Sequence, residues 1–155
     1  MKLSPLQLEK YFLADLTFRA NPEHEPSQPV QFQEEDWEVQ FRVQSLSAEE
    51  RRWQVAITVK LHPRSEANSP YTFSLSLMGM IWAAPQLSSE RLEPLVRTNG
   101  PSMLYGVARE MVRDLTARGP YPALSLPSVS FLNAETAPSV QSADPPSGKV
   151  DAPRC

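Results

Sequence analysis

Apolar and polar residues take turns along four stretches of the chain, and a period of two puts alternate side chains on opposite faces of a strand. In "WEVQFRVQ", Trp37, Val39, Phe41 and Val43 oppose Glu38, Gln40, Arg42 and Gln44. "RWQVAITVKLH" repeats the pattern through Trp53, Val55, Ile57, Val59 and Leu61. In "YFLADLTFRA" the predicted inward set is Phe12, Ala14, Leu16 and Phe18, with Asp15, Thr17 and Arg19 outward. The fourth stretch, "YTFSLSLMGMIW", alternates from Tyr71 to Leu77 and is then apolar on both faces from Met78 to Trp82. Such a strand needs cover on both sides, and a second subunit is one source of it.

The links "SLSAEER" and "HPRSEANSP" are polar and of hairpin length, so the strands they join are expected to pair antiparallel. The segment from Asn21 to Asp36, "NPEHEPSQPVQFQEED", carries Pro22, Pro26 and Pro29 and is too long for a hairpin. It predicts a crossover. Further on, "SSERLEPLVRTNG" predicts a short helical turn with Leu92, Leu95 and Val96 inward. A main helix is expected from about Pro101, a favoured first-turn residue, capped by Asn99 or Ser102 and stopped by Gly119. Its apolar face is Met103, Leu104, Val107, Ala108, Met111, Val112 and Leu115. The expected fold is α+β, with a four-stranded antiparallel sheet, a long crossover loop after strand 1 and a C-terminal helix packed on the sheet.

Composition sharpens this in three places. The chain has 155 residues, enough for one domain, and its 16 prolines outnumber its 5 glycines. Pro138, Pro145, Pro146 and Pro153 crowd into "LNAETAPSVQSADPPSGKVDAPRC", which has no aromatic residue and few large aliphatics. Residues 133–155 are therefore expected to be a disordered tail after a folded domain at 1–132. The net charge of -3 offers no basic field for nucleic acid or an anionic membrane. The single cysteine, Cys155, excludes a disulfide framework. Glu9, Lys10 and Asp15 interrupt the N-terminal apolar residues before signal-peptide length, and no run approaches the ~20 residues of a membrane span. A cytoplasmic protein is expected.

Candidate chemistry is sparse. His24 and His62 lie in the proline-rich loop and at a strand end, with no cysteine or metal-ligand spacing nearby, and read as surface histidines. Glu34, Glu35 and Asp36 read as a solvated edge before an acid/base pair. No nucleophile elbow, phosphate loop, dinucleotide fingerprint or paired CxxC occurs, so neither an enzyme nor a cofactor or metal site is expected. What stands out is apolar surface. "GPYPALSLPSVSF" carries Tyr121, Leu124, Leu126, Val129 and Phe131, yet Pro120, Pro122 and Pro127 bar it from a helix or sheet interior. Laid over the body, it makes one wall of a groove. Val30, Phe32 and Trp37, in and just after the crossover, are candidates for the facing wall.

These residues resemble the SecB family of export chaperones. The likeness rests mainly on "YGVAREMVRDLTARGPYPALSLPSVSF", similar to that family's helix with its A-R-E core, S/T-x-R-G stop and P-x-L-x-L-x-P-V-x-F segment. "LEKYFLADLTFRAN", Asp36-Trp37, "GMIW" and Asn99-Gly100 support it, and it spans residues 7–133. The resemblance implies a homotetramer built as a dimer of dimers, and an ATP-independent holdase that keeps preproteins unfolded and delivers them to the SecA translocase. A branch dedicated to an antitoxin of a toxin–antitoxin system is the alternative. The implied client groove consists of Phe32, Trp37, Met103, Tyr105, Tyr121, Leu124 and Leu126, to which the reading of the crossover adds Val30. Asp15 fits the SecA-docking sheet face, whereas Arg19 and Leu75 stand where the resemblance leads one to expect acids.

Overall fold

The computed structural model describes residues 3–132, so the expected tail and Cys155 lie outside the described residues. Strands β1 (Leu6–Ala20), β2 (Trp37–Ser47), β3 (Arg52–Leu61) and β4 (Tyr71–Ala83) precede one helix, α1 (Ser89–Thr116). They form one antiparallel sheet in the order β1-β4-β3-β2. The two hairpins pair as expected. The crossover carries the chain from one edge of the sheet to the other, placing β1 beside β4.

β1 departs from simple alternation. Leu8 pairs with Ile81 and Lys10 with Met80, then Leu13 with Leu77 and Asp15 with Ser76, so Glu9 and Ala14 are extra residues in the ladder. Each such bulge shifts the face of the following residues by one position. Leu16 and Phe18 face the core as expected, but Phe12 and Ala14 are exposed, which corrects the predicted inward set. Tyr11, Phe12 and Leu13 are 51%, 47% and 45% exposed on this unpaired edge. Leu75, by contrast, is fully buried under the helix, so its lack of charge says nothing about the outer face. That face carries Ser74, Ser76, Met78, Met80 and Trp82, all half-buried.

The helix is one element rather than two. Pro94 and Pro101 both lie inside it. A proline in a helix interior removes a hydrogen bond and costs ~3 kcal/mol or more, so something must offset it. Gly100 and Pro101 are buried, and a Cβ on Gly100 would stand 2.8 Å from Val55 Cγ2. The backbone therefore lies almost against β3 at the proline. Gly79 does the same for β4, where a Cβ would meet Leu104 Cδ2 at 2.8 Å. Asn99 Nδ2 donates to the Leu95 carbonyl and Ser102 Oγ to that of Thr98, so neither residue is a cap. Tertiary cover holds the helix together at Pro101, while Pro94 lies on its exposed side.

Gly119 does not terminate α1 through a left-handed turn, since its φ is not positive, nor is that of any other described glycine. It makes room: a Cβ there would lie 2.6 Å from the Tyr71 hydroxyl. The core sits between the helix and β3 and β4, with Val55, Ile57, Val59, Leu77 and Ile81 facing Val96, Leu104, Ala108 and Val112, all buried. Each such side chain contributes about 1.5–3 kcal/mol of burial.

Candidate functional site

Two segments outside the sheet and α1, irregular but for a 3-10 turn at Glu34–Asp36, run over the body beside β2. One is the crossover, and the other is the strip from Pro120 to Phe131.

The strip keeps a two-residue alternation without joining the sheet. Leu124 and Leu126 point down and are buried, while Ser125 and Pro127 point up. Phe131 is buried at its end with ring centroids 5.5 Å from Phe41 and 5.9 Å from Tyr105. Because proline denies the strip ladder bonds, its polar backbone groups are met by side chains instead. The Leu124 amide donates to Thr116 Oγ1 at 2.9 Å. The Tyr121 amide donates to the Tyr71 hydroxyl at 2.9 Å, and that hydroxyl lies 2.7 Å from the Tyr121 carbonyl and 3.1 Å from that of Thr116. Tyr105 donates its hydroxyl to the Pro127 carbonyl at 2.7 Å. Burial raises the Tyr105 phenol above its usual pKa, so it stays protonated and able to donate.

The crossover is held by polar anchors. Asp36 is fully buried, which corrects the solvated-edge reading of the Glu34–Asp36 triplet. Its carboxylate accepts from the backbone amides of Gln33 (2.7 Å) and Arg64 (2.8 Å) and from Arg64 Nε (3.1 Å) and Nη2 (3.2 Å). The Arg64 side-chain bond, chiefly, holds the Asp36 carboxyl down to about 2 against the opposing effect of burial. Further up, Asn21 Nδ2 donates to the Ser69 carbonyl. His24 is half-buried, its Nδ1 2.8 Å from the Asn68 carbonyl and its ring edge-on to Tyr121 at 4.6 Å. A carbonyl only accepts, so Nδ1 carries the proton.

Between these walls lies a cavity of about 740 Å³ lined by Phe32, Gln33, Glu34, Trp37, Val39 and residues 125 and 127–130. A second, of about 330 Å³, is lined by His24, Pro26, Gln28, Val30, Phe32, Pro70, Pro122, Ala123 and Leu124. Phe32 borders both, so the two lie end to end along the same pair of walls, which we treat together as the groove. The edge-to-face contact of Phe32 with Trp37 at 5.1 Å, and the tilted contact of Trp37 with Phe73 at 6.4 Å, tie the groove to the core.

The structure thus brings Val30, Phe32, Trp37 and Leu124 to the groove. Tyr121 instead joins the two walls where they begin, donating its hydroxyl to the Asn21 carbonyl at 2.9 Å. Leu126 and Tyr105 lie beneath the strip and support it. Met103 is half-buried against the core and lines neither cavity. Val39 and Val129 also line the groove: Val129 belongs to the run expected to form a wall, whereas Val39 was not among the expected residues, although it shares the face of Trp37. Asp15 is exposed on the outer face of the sheet, as is Arg19, four pairs away along the ladder to β4. Among the described residues no three His, Cys, Asp or Glu side chains are placed to hold a metal. No described helix is long and apolar enough to cross a membrane.

The model of the SecB family, "Preprotein translocase subunit SecB", matches residues 2–135. The protein-export protein SecB of Hahella chejuensis is 25% identical over 128 residues, covering 80% of this chain and 76% of the relative. That of Histophilus somni (strain 2336) is 28% identical over 132 residues, covering 81% and 73%. Among solved structures, a SecB-like chaperone of Mycobacterium tuberculosis, in complex with a peptide from an antitoxin, is similar in fold. Its TM-score is 0.59 at 21% identity, covering 81% of this chain and 91% of the other. With a family match over nearly its whole length, a sheet-and-helix body of the same fold and a proline-stiffened strip where the family motif falls, the chain belongs to the SecB family.

Proposed function

We propose that the protein is an ATP-independent holdase of protein export: it binds unfolded preproteins in the groove between crossover and strip, keeps them translocation-competent and delivers them to the SecA motor. The observation that carries this reading is the open groove itself, walled by Val30, Phe32, Trp37, Val129 and prolines that cannot pair with a sheet. Membership in a family of protein-export proteins supports the chaperone role and a cytoplasmic setting. The sequence relatives carry the export name, and the reading follows them rather than the antitoxin-linked chaperone, whose likeness is one of fold.

The mechanism is binding without turnover. A client segment burying roughly 300 Å² gains about 7 kcal/mol before ordering costs, which leaves weak affinity per groove. Several grooves on one assembly engaging one unfolded chain convert weak contacts into a tight, wrapped complex. A folded protein has already buried its apolar segments, so selection for non-native chains needs no sequence code. The assembly we infer is a homotetramer, a dimer of dimers, and the unpaired β1 edge with exposed Tyr11, Phe12 and Leu13 supports self-association. The outer sheet face around Asp15 is the surface we assign to SecA.

Phe32→Ser combined with Val129→Ser tests the groove, because both side chains line it and neither is deep in the core. The affinity for an unfolded, reduced client should fall about tenfold or more, with oligomer mass and Tm unchanged. Equal affinity would refute the reading.

A further inference from the structure

The crossover wall is an unpaired loop, and its attachment is unusually concentrated. Within its first half the loop makes only short-range bonds: backbone turns from His24 N to the Asn21 carbonyl and Gln28 N to that of Glu25, and side-chain bonds from Glu23 N to Asn21 Oδ1 and from Ser27 Oγ to Glu25 Oε1. Between Glu23 and Gln31, the described hydrogen bonds that tie it to the rest of the molecule end on Asn68 and its neighbour Ala67. The Glu25 amide donates to Asn68 Oδ1 at 2.9 Å, and Asn68 Nδ2 donates to the carbonyls of Glu25 (2.9 Å) and Gln28 (3.0 Å). His24 Nδ1 donates to the Asn68 carbonyl, and the Gln31 amide to the Ala67 carbonyl at 3.0 Å. Asn68 is held at φ 48 and ψ 41, in the left-handed region that asparagine and glycine tolerate and most residues do not. Its amide oxygen and nitrogen are both committed to one turn of a loop 40 to 43 residues away in sequence. Pro26, Gln28 and Val30, on or beside this clasped turn, form one side of the smaller cavity; the strip opposite is tied to the helix end at Leu124 and meets the crossover at Tyr121, next to Asn21 and His24.

We propose that Asn68 is a positioning residue for client binding: by clasping residues 24–28 it holds the crossover wall at the distance from the strip that a client segment needs. This rests on the groove reading above. A wall that occupies its binding position only a fraction of the time raises the apparent Kd by the inverse of that fraction. Releasing the clasp so that the fraction falls to between about a third and a tenth weakens clients about three- to tenfold.

The test is Asn68→Gly in the full chain, which keeps the left-handed backbone accessible and removes the side-chain bonds. Amide hydrogen exchange in residues 22–31 should accelerate at least about tenfold, with the sheet and strip unchanged and Tm nearly so. Affinity for an unfolded, reduced client should fall about three- to tenfold. In a Phe32→Ser background, where the wall's own contact is gone, that loss should shrink, a non-additivity that a merely structural role would not produce. Unchanged exchange overturns the clasp. Faster exchange with unchanged affinity, while Phe32→Ser with Val129→Ser still weakens the client, overturns the positioning role and leaves the groove standing. If neither variant changes affinity, the groove reading fails and this inference falls with it.

Discussion

The two walls of the groove face each other across the same cavity but are fastened by opposite kinds of chemistry. The strip lies on buried apolar anchors, Leu124, Leu126 and Phe131, and tyrosine and threonine hydroxyls satisfy its backbone. The crossover buries little of its own and is fastened by a charged carboxylate at one end and an asparagine amide in the middle. Apolar burial is insensitive to pH and resists local opening, whereas a few directed polar bonds can be lost singly. The strip is therefore the fixed jaw and the crossover the adjustable one.

Four perturbations probe that contrast. The largest effect should come from Phe131→Ala, which empties the contact with Phe41 and Tyr105 and should cost about 3 kcal/mol or more of stability in chemical denaturation. Gly119→Ala comes next, since its methyl would meet the hydrogen-bonded Tyr71 ring, and a Tm scan should show a loss of about 1–3 kcal/mol. The third acts on the crossover alone. The Asp36 carboxyl is held down to about 2 from the ordinary 3.8, so its contribution is complete above about pH 4 and is lost as pH falls toward 2. Exchange in residues 22–36 should accelerate through that window before the strip loosens, and Asp36→Asn should flatten the dependence and lower Tm by roughly 5 °C at neutral pH. Simultaneous loosening of both jaws would break the contrast. The smallest effect is that of Tyr105→Phe, which removes one bond to the Pro127 carbonyl and should cost about 1 kcal/mol in the same denaturation measurement.

Much of this architecture was legible in the chain. The alternation of β2, β3 and β4 and the apolar stripe of α1 fixed the faces, and the proline-broken run from Pro120 announced a wall because it had to be buried and could not pair. What stayed hidden has specific causes. β1 has two extra ladder residues, Glu9 and Ala14, so a strict period of two assigns Phe12 to the wrong face. Pro94 and Pro101 look like breaks when only local propensity is weighed, and the close approach of Gly100 to Val55 that holds the helix together is tertiary. Asp36 looked solvated because its partner Arg64 lies 28 positions away. The same holds for the supports: Tyr71 acts on Tyr121 across 50 positions and Asn68 on Glu25 across 43, and neither pairing leaves a local pattern to read. The groove's walls could be guessed from composition, but its fasteners could not.

The central claim is that the groove holds unfolded polypeptide, and a photo-crosslinking amino acid tests it most directly. Placed at Ser125, on the rim of the larger cavity, it should capture an unfolded client and ignore the same protein once folded. Placed at Gln44, exposed on the outer face of β2, it should capture neither. Equal capture of the unfolded client at both positions, or none at Ser125, would contradict the account.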